Sequence, residues 1–349
     1  MQKHPKTIMV YCPNWVGDVV MATPVFDCLR LNYPETKLIG VIKKYVRGVV
    51  EDGPWFDRVI DFNGSSIRDL IKLAQKINLE KPDFAILLPN SIRSFLITKL
   101  GGAKKIYGYQ RDGRSIFLSG GPKPVRAKSN FLPVPMVEYY MQICRWLDLK
   151  IPENIKPCLY LSEPLQKKGN QLLSRYGIIP TDMVIGINPG AKFGSSKCWP
   201  PEYFAILTEL LIKQYNCKIL LFAGPGEEKI ANKITKLSKS QIINTAPDKV
   251  DLALLKHLIK RCDLLITNDT GPRHYAVAFN IPVVVIMGPT DPRYTAANLD
   301  KTVVLRKDLN CSPCHKKKCP LQHECMTLIS PEAVFDESKT LLNYNRLKL

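Results

Sequence analysis

The sequence lacks any apolar run approaching the ~20 residues that a helix needs to cross a bilayer. Negative charge is also scarce, because 31 Asp and Glu residues stand against 50 Lys and Arg, giving a net charge of +19. The lack of a long apolar run argues against a membrane-spanning protein. The low content of acidic residues excludes an acidic solvating protein and disfavours general disorder. The positive surplus leaves three kinds of partner open: nucleic acid, an anionic membrane surface or a phosphorylated substrate.

The first residues of the chain resemble a signal peptide only in part. Lys3 and Lys6 supply a basic start, but the apolar stretch over 7–11 is short and Pro13 follows it closely. We therefore predict a first strand over 7–11 and expect a cytosolic protein.

Cysteine usage does not suggest a disulfide framework, because the eleven cysteines are odd in number and scattered. Seven lie mostly in apolar segments, where we interpret them as small buried hydrophobes. These seven are Cys12, Cys28, Cys144, Cys158, Cys198, Cys217 and Cys262. The other four are spaced C-x2-C-x4-C-x5-C: Cys311, Cys314, Cys319 and Cys325. Spacing alone leaves a zinc or iron–sulfur site open beside a structural role.

The length and the hydrophobic content predict two globular domains, since the chain has 349 residues, of which 45% are hydrophobic. Short apolar runs alternate with amphipathic stretches, which is typical of βα units around a mostly parallel sheet. The predicted strands are 7–11, 37–41, 58–61 and 84–88, then 184–188, 218–222, 264–267 and 283–287. The predicted helices are about 19–32, 202–215, 227–237 and 251–261.

A proline-rich stretch over 147–180 predicts the domain boundary, with domains of 1–175 and 176–330. Both halves have the α/β pattern of doubly wound sheets. Two such halves leave a central cleft between the carboxyl ends of their strands, and ligands bind there.

The first βα turn contains Gly17 and Asp18, immediately before the predicted helix. Gly17 lets the backbone bend sharply or approach a ligand. Asp18 either caps the helix or points into the cleft as a general base. Histidine is scarce, and only His4 lies in the first half, so a carboxylate is the better candidate for a base there.

Two turns of the second half have features of a nucleotide site. Lys192 and Lys197, set among glycines and hydroxyls after a strand, fit an anion site or a solvated basic loop. The loop 222–228 lacks the third glycine of a dinucleotide fingerprint, which argues against a Rossmann dehydrogenase. Glu227 or Glu228 either accepts hydrogen bonds from a ribose or is an ordinary first-turn acid.

The segment 267–276 carries the strongest signal. Thr270 or Gly271 can cap a short helix whose unpaired N–H groups attract phosphate. Arg273 or His274 adds positive charge, and Asp269 accepts from sugar hydroxyls. The turn 288–291 ends a further strand and faces the same side, so these turns outline a nucleotide-diphosphate site opposite an acid, as glycosyl transfer requires.

Five short motifs in order give the chain a recognisable resemblance. They are Asn14-Trp15-Val16-Gly17-Asp18, Leu88-Pro89-Asn90-Ser91, Lys197-Cys198-Trp199-Pro200, Asn268-Asp269-Thr270-Gly271 with His274, and Gly288-Pro289-Thr290-Asp291. Together they resemble the lipopolysaccharide heptosyltransferases of glycosyltransferase family 9, and among them the heptosyltransferase II type. The resemblance implies a GT-B fold of two Rossmann-like domains, with a helix over ~331–349 packing back on the first.

The resemblance also implies roles for individual residues. Asp18 matches the base that deprotonates the acceptor hydroxyl. The donor-binding positions are Lys192, Lys197, Glu228 (with Glu227 as the alternative), Asp269, Thr270, Gly271 and His274. The acceptor-binding positions are Asn14, Asn90, Arg93, Arg111 and Arg114. Pro272 and Arg273 depart from the small or apolar residues common before the histidine, and an extra cation there would alter donor preference.

The implied reaction is inverting transfer of L-glycero-D-manno-heptose from ADP-heptose to heptosyl-Kdo2-lipid A, without a cofactor or an essential metal. The enzyme would make transient contact with the cytoplasmic face of the inner membrane. Transfer to Kdo2-lipid A, another nucleotide-sugar and, less favoured, a nucleotide-sugar epimerase stay open as alternatives. Nucleic-acid binding is not expected, because basic residues are not interleaved with exposed aromatics in a reading motif. A cysteine-rich stretch recurs in this family, which favours a structural role for the four cysteines over a metal site.

Overall fold

The computed structural model describes residues 5–64, 66–128 and 130–346, and it describes side chains up to 343. The chain forms two compact units, one reaching to Tyr160 and including Arg293–Ala297, the other comprising Leu161–Pro292 and the segment from Asn298 onward. The predicted boundary at 175/176 lies too late. The helix Glu163–Arg175 packs against the helix Leu252–Lys260 of the second unit, where Gly169 leaves room for the ring of His257.

The first unit contains seven strands and five helices among its described residues. The strands are β1 (Thr7–Tyr11), β2 (Lys37–Lys43), β3 (Arg58–Phe62), β4 (Phe84–Leu87), β5 (Lys105–Gly108), β6 (Arg126–Ala127) and β7 (Asn130–Phe131). The helices are α1 (Val16–Met21), α2 (Thr23–Asn32), α3 (Ile67–Glu80), α4 (Ile92–Leu100) and α5 (Met136–Trp146).

Five of these strands form a parallel sheet in the order β3-β2-β1-β4-β5, a doubly wound sheet of the class predicted from the sequence. Strand β1 is buried along its whole length, as expected for the central strand of a sheet covered on both faces. The strand order reverses next to β1, so the turn after β1 lies at the site where such sheets bind ligands.

The helix predicted over 19–32 is two helices, α1 and α2. Pro24 causes the break, because its ring blocks the hydrogen bond and the space that a continuous helix needs. Ala22 ends α1, and the Thr23 hydroxyl donates to the carbonyl of Val20 at 2.8 Å. The shorter α1 places Asp18 in its first turn.

The second unit contains a second parallel sheet flanked by helices. Its strands are β8 (Val184–Asn188), β9 (Lys218–Leu221), β10 (Ile243–Asn244), β11 (Leu264–Asn268), β12 (Val283–Ile286) and β13 (Thr302–Leu305). Its helices are α6 (Glu163–Arg175), α7 (Pro201–Tyr215), α8 (Glu228–Leu237), α9 (Leu252–Lys260), α10 (Gly271–Ala278), α11 (Glu324–Thr327) and α12 (Pro331–Arg346).

The strand order of the second sheet is β10-β9-β8-β11-β12-β13, again with every pair parallel. Strands β8 and β11 are neighbours at the point where the order reverses, so the loops that follow them meet at one edge. The strands predicted at 184–188, 218–222, 264–267 and 283–287 are confirmed to within one residue at their ends. No helix within the described ranges is long and apolar enough to cross a membrane.

Helix α12 corrects one expectation. The resemblance placed the last helix on the first unit, but α12 packs against α7, β11 and β12 of the second. Val334, Leu341 and Leu342 are buried in the core of the second sheet, with Trp199 and Phe204. These apolar side chains hold the helix where it is, since removing them from water stabilises that packing.

Candidate active site

Asp18 lies in the first turn of α1 and does not cap it, because Trp15 occupies the N-cap position. The carboxylate is partly exposed. The hydroxyl of Tyr140 on α5 donates to Oδ1 of Asp18 at 3.1 Å. Burial, and then the charge of Asp18, raise the pKa of Tyr140 well above its ordinary value, so the phenol stays protonated and keeps donating. The structure therefore orients the Asp18 carboxylate through a hydrogen bond from Tyr140.

A second tyrosine, Tyr45, borders the same turn. Its hydroxyl donates to the backbone carbonyl of Asn14. Burial raises the pKa of Tyr45, with a further contribution from the charge of Asp18. Sequence reasoning missed Tyr45 and Tyr140, and Tyr140 is 122 residues from Asp18 in the chain. Neither tyrosine belongs to a motif that could have indicated it.

The guanidinium of Arg114 points into the protein, although the resemblance implied a role in acceptor binding. The residue is fully buried and its guanidinium donates to the carbonyls of Tyr109 and Pro89 and to Oδ1 of Asn90. A buried guanidinium held by three hydrogen bonds stabilises the surrounding structure. It orients the Asn90 amide, whose Nδ2 donates to the hydroxyl of Tyr139 at 2.9 Å.

Of the two remaining predicted acceptor cations, only Arg111 lies near this group. Its guanidinium stacks 4.1 Å from the ring centre of Phe131 and hydrogen-bonds the side chains of Asp112 and Tyr139. Arg93 instead points toward Gly64, with 3.4 Å between Nη2 and the carbonyl oxygen, and stays exposed. Because Tyr139 and Tyr140 are adjacent, Asp18, Asn90 and Arg111 gather around one pair of tyrosines.

In the second unit, Asn268 ties together the loops that follow β8 and β11. Its Nδ2 donates to the carbonyl of Pro189 at 2.6 Å, and its Oδ1 accepts from the backbone N–H of Trp199 at 3.2 Å. Asn268 is fully buried, so both hydrogen bonds are protected from water. This junction fixes the position of Lys197, which precedes Trp199 by two residues.

A buried ionic cluster forms around Asp269. The ammonium of Lys197 lies 2.7 Å from Oδ2 and 2.9 Å from the backbone oxygen of Asp269. Nη1 of Arg273 lies 2.8 Å from Oδ1, and the hydroxyl of Thr290 donates to Oδ2 at 2.6 Å. Thr290 belongs to the turn predicted to face the same side, and its contact with Asp269 confirms that placement. Two cations face one carboxylate, so the cluster has a positive excess.

The cluster changes the predicted roles of three residues. Burial alone would raise the pKa of Asp269, but Arg273 and Lys197 hold it below its ordinary value, so the carboxylate is ionised and its oxygens serve these partners. Arg273, expected as an extra cation beside the donor, is almost fully buried and pairs with Asp269. Burial and the charge of Arg273 lower the pKa of His274 to about 3, so the histidine is neutral at pH 7.

Helix α10 begins at this cluster. Thr270 is the N-cap residue in an extended conformation, and Pro272 occupies the first turn, as the sequence predicted. The Thr270 side chain makes no capping hydrogen bond. The N-terminus of α10 therefore adds its partial positive charge to that of Lys197.

The acidic pair 227–228 divides into one packed and one exposed residue. Oε2 of Glu227 accepts from the N–H of Gly224 at 2.8 Å, and a Cβ at Gly190 would lie 2.0 Å from Cδ of Glu227. Burial raises the pKa of Glu227. Glu228 is exposed, and its Oε1 accepts from the N–H of Gly226 at 3.2 Å, as an ordinary first-turn acid does. Of the two acids, Glu227 packs against the loops that contain Gly190 and Gly224.

The cysteine-rich segment braces two loops of this cluster. Ser196 next to Lys197 donates from its hydroxyl to the carbonyl of Lys316 at 2.5 Å, and its own carbonyl lies 2.7 Å from Nε2 of His323. The Ser312 hydroxyl donates to Gly288 near Thr290 at 2.7 Å. In the described part of the chain all eleven thiols are free, and no group of three His, Cys, Asp or Glu is placed to hold a metal ion.

A net positive cluster thus lies at a helix N-terminus of one unit, and a partly exposed carboxylate held by a phenol lies in the other. The first can bind a diphosphate and stabilise negative charge that develops on it. The second can accept a proton from a hydroxyl group.

Comparison with known proteins gives the family of the chain. The family model for glycosyltransferase family 9 (heptosyltransferase) matches residues 70–324. The lipooligosaccharide heptosyltransferase 2 of Campylobacter jejuni is 27% identical over 345 residues, which cover 97% of this chain and 99% of that protein.

Two solved structures resemble the chain along nearly its whole length. The ADP-heptose LPS heptosyltransferase II of Escherichia coli has a TM-score of 0.79 at 26% identity, covering 97% of this chain and 99% of that one. The family 9 glycosyltransferase of Veillonella parvula has a TM-score of 0.84 at 25% identity, covering 99% of each. These similarities, with the two parallel sheets flanked by helices, confirm the predicted GT-B fold. Because the family model matches most of its length, the chain belongs to glycosyltransferase family 9 and is a glycosyltransferase.

Proposed function

We propose that this enzyme transfers L-glycero-D-manno-heptose from ADP-heptose to heptosyl-Kdo2-lipid A of the lipopolysaccharide inner core, with inversion at the anomeric carbon. The observation that carries the proposal is the cluster of Lys197, Asp269 and Arg273 at the start of α10. Relatives along nearly the whole chain that are named heptosyltransferase 2 support the heptose and the acceptor.

The donor diphosphate occupies the N-terminus of α10, at Thr270 and Gly271. A lysine ammonium has three N–H donors, and Lys197 directs two at Asp269, so we assign the third to a phosphate oxygen. Lys192 adds charge from the same loop. As the glycosidic bond breaks, negative charge grows on the departing ADP, and these groups stabilise it without a metal.

The remaining donor residues hold the site in shape or contact the nucleoside. Asp269 fixes Lys197 and Arg273, and the neutral His274 packs behind them. We assign the ribose hydroxyls to Glu227 rather than to Glu228, because Glu227 lies against the loops at Gly190 and Gly224.

The acceptor hydroxyl gives its proton to Asp18 as the oxygen attacks the anomeric carbon from the face opposite the leaving group. One displacement of this kind inverts the centre. Asn14, Asn90 and Arg111 contact the acceptor, Arg114 acts through Asn90, and Arg93 meets acidic groups at the periphery.

We place the enzyme in the cytoplasm. Because its acceptor is a lipid, it contacts the inner membrane transiently as a peripheral protein. The excess of positive charge favours contact with the phosphates and carboxylates of the acceptor and with an anionic leaflet.

A substrate panel tests the proposal. The purified enzyme receives labelled ADP-heptose with heptosyl-Kdo2-lipid A, with Kdo2-lipid A, or with no acceptor, and labelled ADP-glucose replaces the donor in parallel. We expect label in lipid only with ADP-heptose and the heptosylated acceptor. Transfer to Kdo2-lipid A alone, preference for the other sugar, or a rearranged nucleotide-sugar without transfer would each contradict it.

A further inference from the structure

Helix α4 of the first unit carries an exposed apolar stripe bordered by cations. Ile92, Leu96 and Leu100 recur every four residues and are 48%, 52% and 68% exposed. At 3.6 residues per turn, these three with Arg93 and Lys99 fall within an arc of about 120°. Lys99 lies at one edge of the arc and Arg93 at the other. The opposite face, with Phe95 and Ile97, is buried in the core of the first sheet.

Two neighbouring segments extend the stripe. Phe117 packs on Phe95 of α4 with 5.6 Å between ring centres, and Ile116 beside it is 83% exposed. Helix α3 packs along α4 and exposes Ile67 and Ile71, which are 76% and 49% exposed. We call this set the α3–α4 apolar face: Ile67, Ile71, Ile92, Leu96, Leu100, Ile116 and Phe117.

Basic residues stand beside these apolar residues in the sequence of both helices. Arg68 and Lys72 are exposed on α3, as Arg93 and Lys99 are on α4. Long cationic side chains of this kind lay their methylene groups on apolar surface and extend their charges to its rim. Asp69, the acid in the first turn of α3, is engaged by Ser66 in the capping box of that helix.

Such a combination is unusual for a surface in contact with water alone. A contiguous apolar patch marks an interaction site, whereas single exposed apolar residues need no explanation. The cationic rim selects the occupant, because a second copy of this face would bring like charges together, while an anionic lipid surface is complementary to it.

We propose that the α3–α4 apolar face docks on an anionic phospholipid bilayer, with the apolar residues entering the boundary between headgroups and acyl chains and the basic rim contacting phosphates. The docking proposal rests on the proposed function in one respect: an enzyme whose acceptor is a lipid must reach a bilayer. The face belongs to the unit that carries Asp18, so docking brings that unit to the acceptor's own surface.

Sedimentation of the full chain with vesicles tests the proposal. The vesicles contain phosphatidylethanolamine and phosphatidylglycerol, and vesicles of phosphatidylcholine alone serve for comparison. The test variants are Leu96→Glu with Leu100→Glu, and the milder Leu96→Ser with Leu100→Ser. The matched control is Ile206→Glu with Leu237→Glu, because these second-unit residues are each 45% exposed outside the face. Thermal unfolding checks that every variant folds.

We expect binding to anionic vesicles to fall on the order of tenfold or more in the Glu variant, less in the Ser variant, and not in the control. Lys99→Gln should weaken binding about fivefold, the equivalent of about 1 kcal/mol for one basic side chain near an anionic surface. Unchanged binding in the folded Leu96 and Leu100 variants would overturn the proposal. So would self-association that these variants abolish while vesicle binding persists.

Transfer to a deacylated, water-soluble acceptor separates this proposal from the proposed function. Retained transfer in the Leu96 and Leu100 variants, with lost vesicle binding, supports both. Absence of transfer by the wild-type enzyme, with vesicle binding that still depends on Leu96 and Leu100, overturns the proposed function and leaves the docking surface supported.

Discussion

The ammonium of Lys197 lies 2.7 Å from Oδ2 of Asp269, although 72 residues separate them in the chain. The pair joins the loop after β8 to the loop after β11, at the point where the strand order of the second sheet reverses. Asp269 also neutralises the buried Arg273, so one carboxylate positions both cations. The electrostatics of the donor site depend on this carboxylate.

Asp269→Asn should therefore cost stability as well as activity. The substitution keeps the volume but leaves the guanidinium of Arg273, which is 1% exposed, without its counter-charge. We expect the free energy of unfolding to fall by about 3 kcal/mol or more, as measured by urea unfolding. Thr290→Val removes one hydrogen bond to the same carboxylate and should cost only about 1–2 kcal/mol. Equal losses in the two variants would show that the charge of Asp269 is not what matters.

His274 predicts a pH dependence of stability. Burial and Arg273 lower its pKa to about 3 in the folded state, while an unfolded histidine titrates near ~6.5. Between these values only the unfolded state binds the proton, so this contribution is complete above about pH 6.5 and is lost as the pH falls. The loss should reach about 2 kcal/mol at pH 5, at about 1.4 kcal/mol per pH unit. His274→Gln should show a shallower decline from pH 7 to 5, and an identical slope in both proteins would contradict this.

Much of the fold follows from the sequence, because its signals are local. Buried strands such as 7–11 and 264–267 are short apolar runs followed by turn residues, and Pro272 marks the first turn of α10. The domain boundary at Tyr160 and the position of α12 depend instead on tertiary contacts. The position of α12 is set by Val334, Leu341 and Leu342 meeting the second sheet, and its sequence does not say which sheet it meets.

The site was predicted less completely than the fold. A motif identifies Asp18, but no motif contains Tyr140, which meets Asp18 only because α5 packs beside α1. The sequence alone does not distinguish Arg93, Arg114 and Arg273. In the structure Arg93 is exposed, whereas Arg114 and Arg273 are buried and paired. Burial decides whether an arginine serves a ligand or the fold, and burial depends on contacts remote in sequence.

Tyr140 gives a test of how Asp18 is held. Tyr140→Phe keeps the ring and removes the O–H donor to Oδ1. Because that hydrogen bond favours the ionised carboxylate, we expect kcat/KM to fall roughly tenfold and the acidic limb of its pH profile to move to higher pH. Tyr109→Phe is the matched control, since its hydroxyl donates to the backbone carbonyl of Tyr139 rather than to Asp18. The assignment fails if Tyr140→Phe lowers only stability and leaves the pH profile in place.

The paired acids at 227 and 228 separate a ligand role from a surface role. Glu227→Gln should raise the KM for the nucleotide-sugar roughly tenfold, with little change in the KM for the acceptor. Glu228→Gln should change neither by more than about twofold, because the side chain is exposed and bonds only its own helix turn. A larger rise in the KM for the nucleotide-sugar in Glu228→Gln than in Glu227→Gln would assign the ribose contact to Glu228.

Heptose transfer in the presence of EDTA tests the proposed mechanism most directly. The reaction is followed with labelled ADP-heptose and heptosyl-Kdo2-lipid A. Since Lys197 and the N-terminus of α10 supply the positive charge, we expect the wild-type enzyme to transfer heptose at the same rate with and without the chelator. Asp18→Asn should lose on the order of 10²–10⁴-fold in rate while still binding the donor. No transfer by the wild-type enzyme, a rate that EDTA abolishes and a divalent cation restores, or full activity in Asp18→Asn would contradict the account.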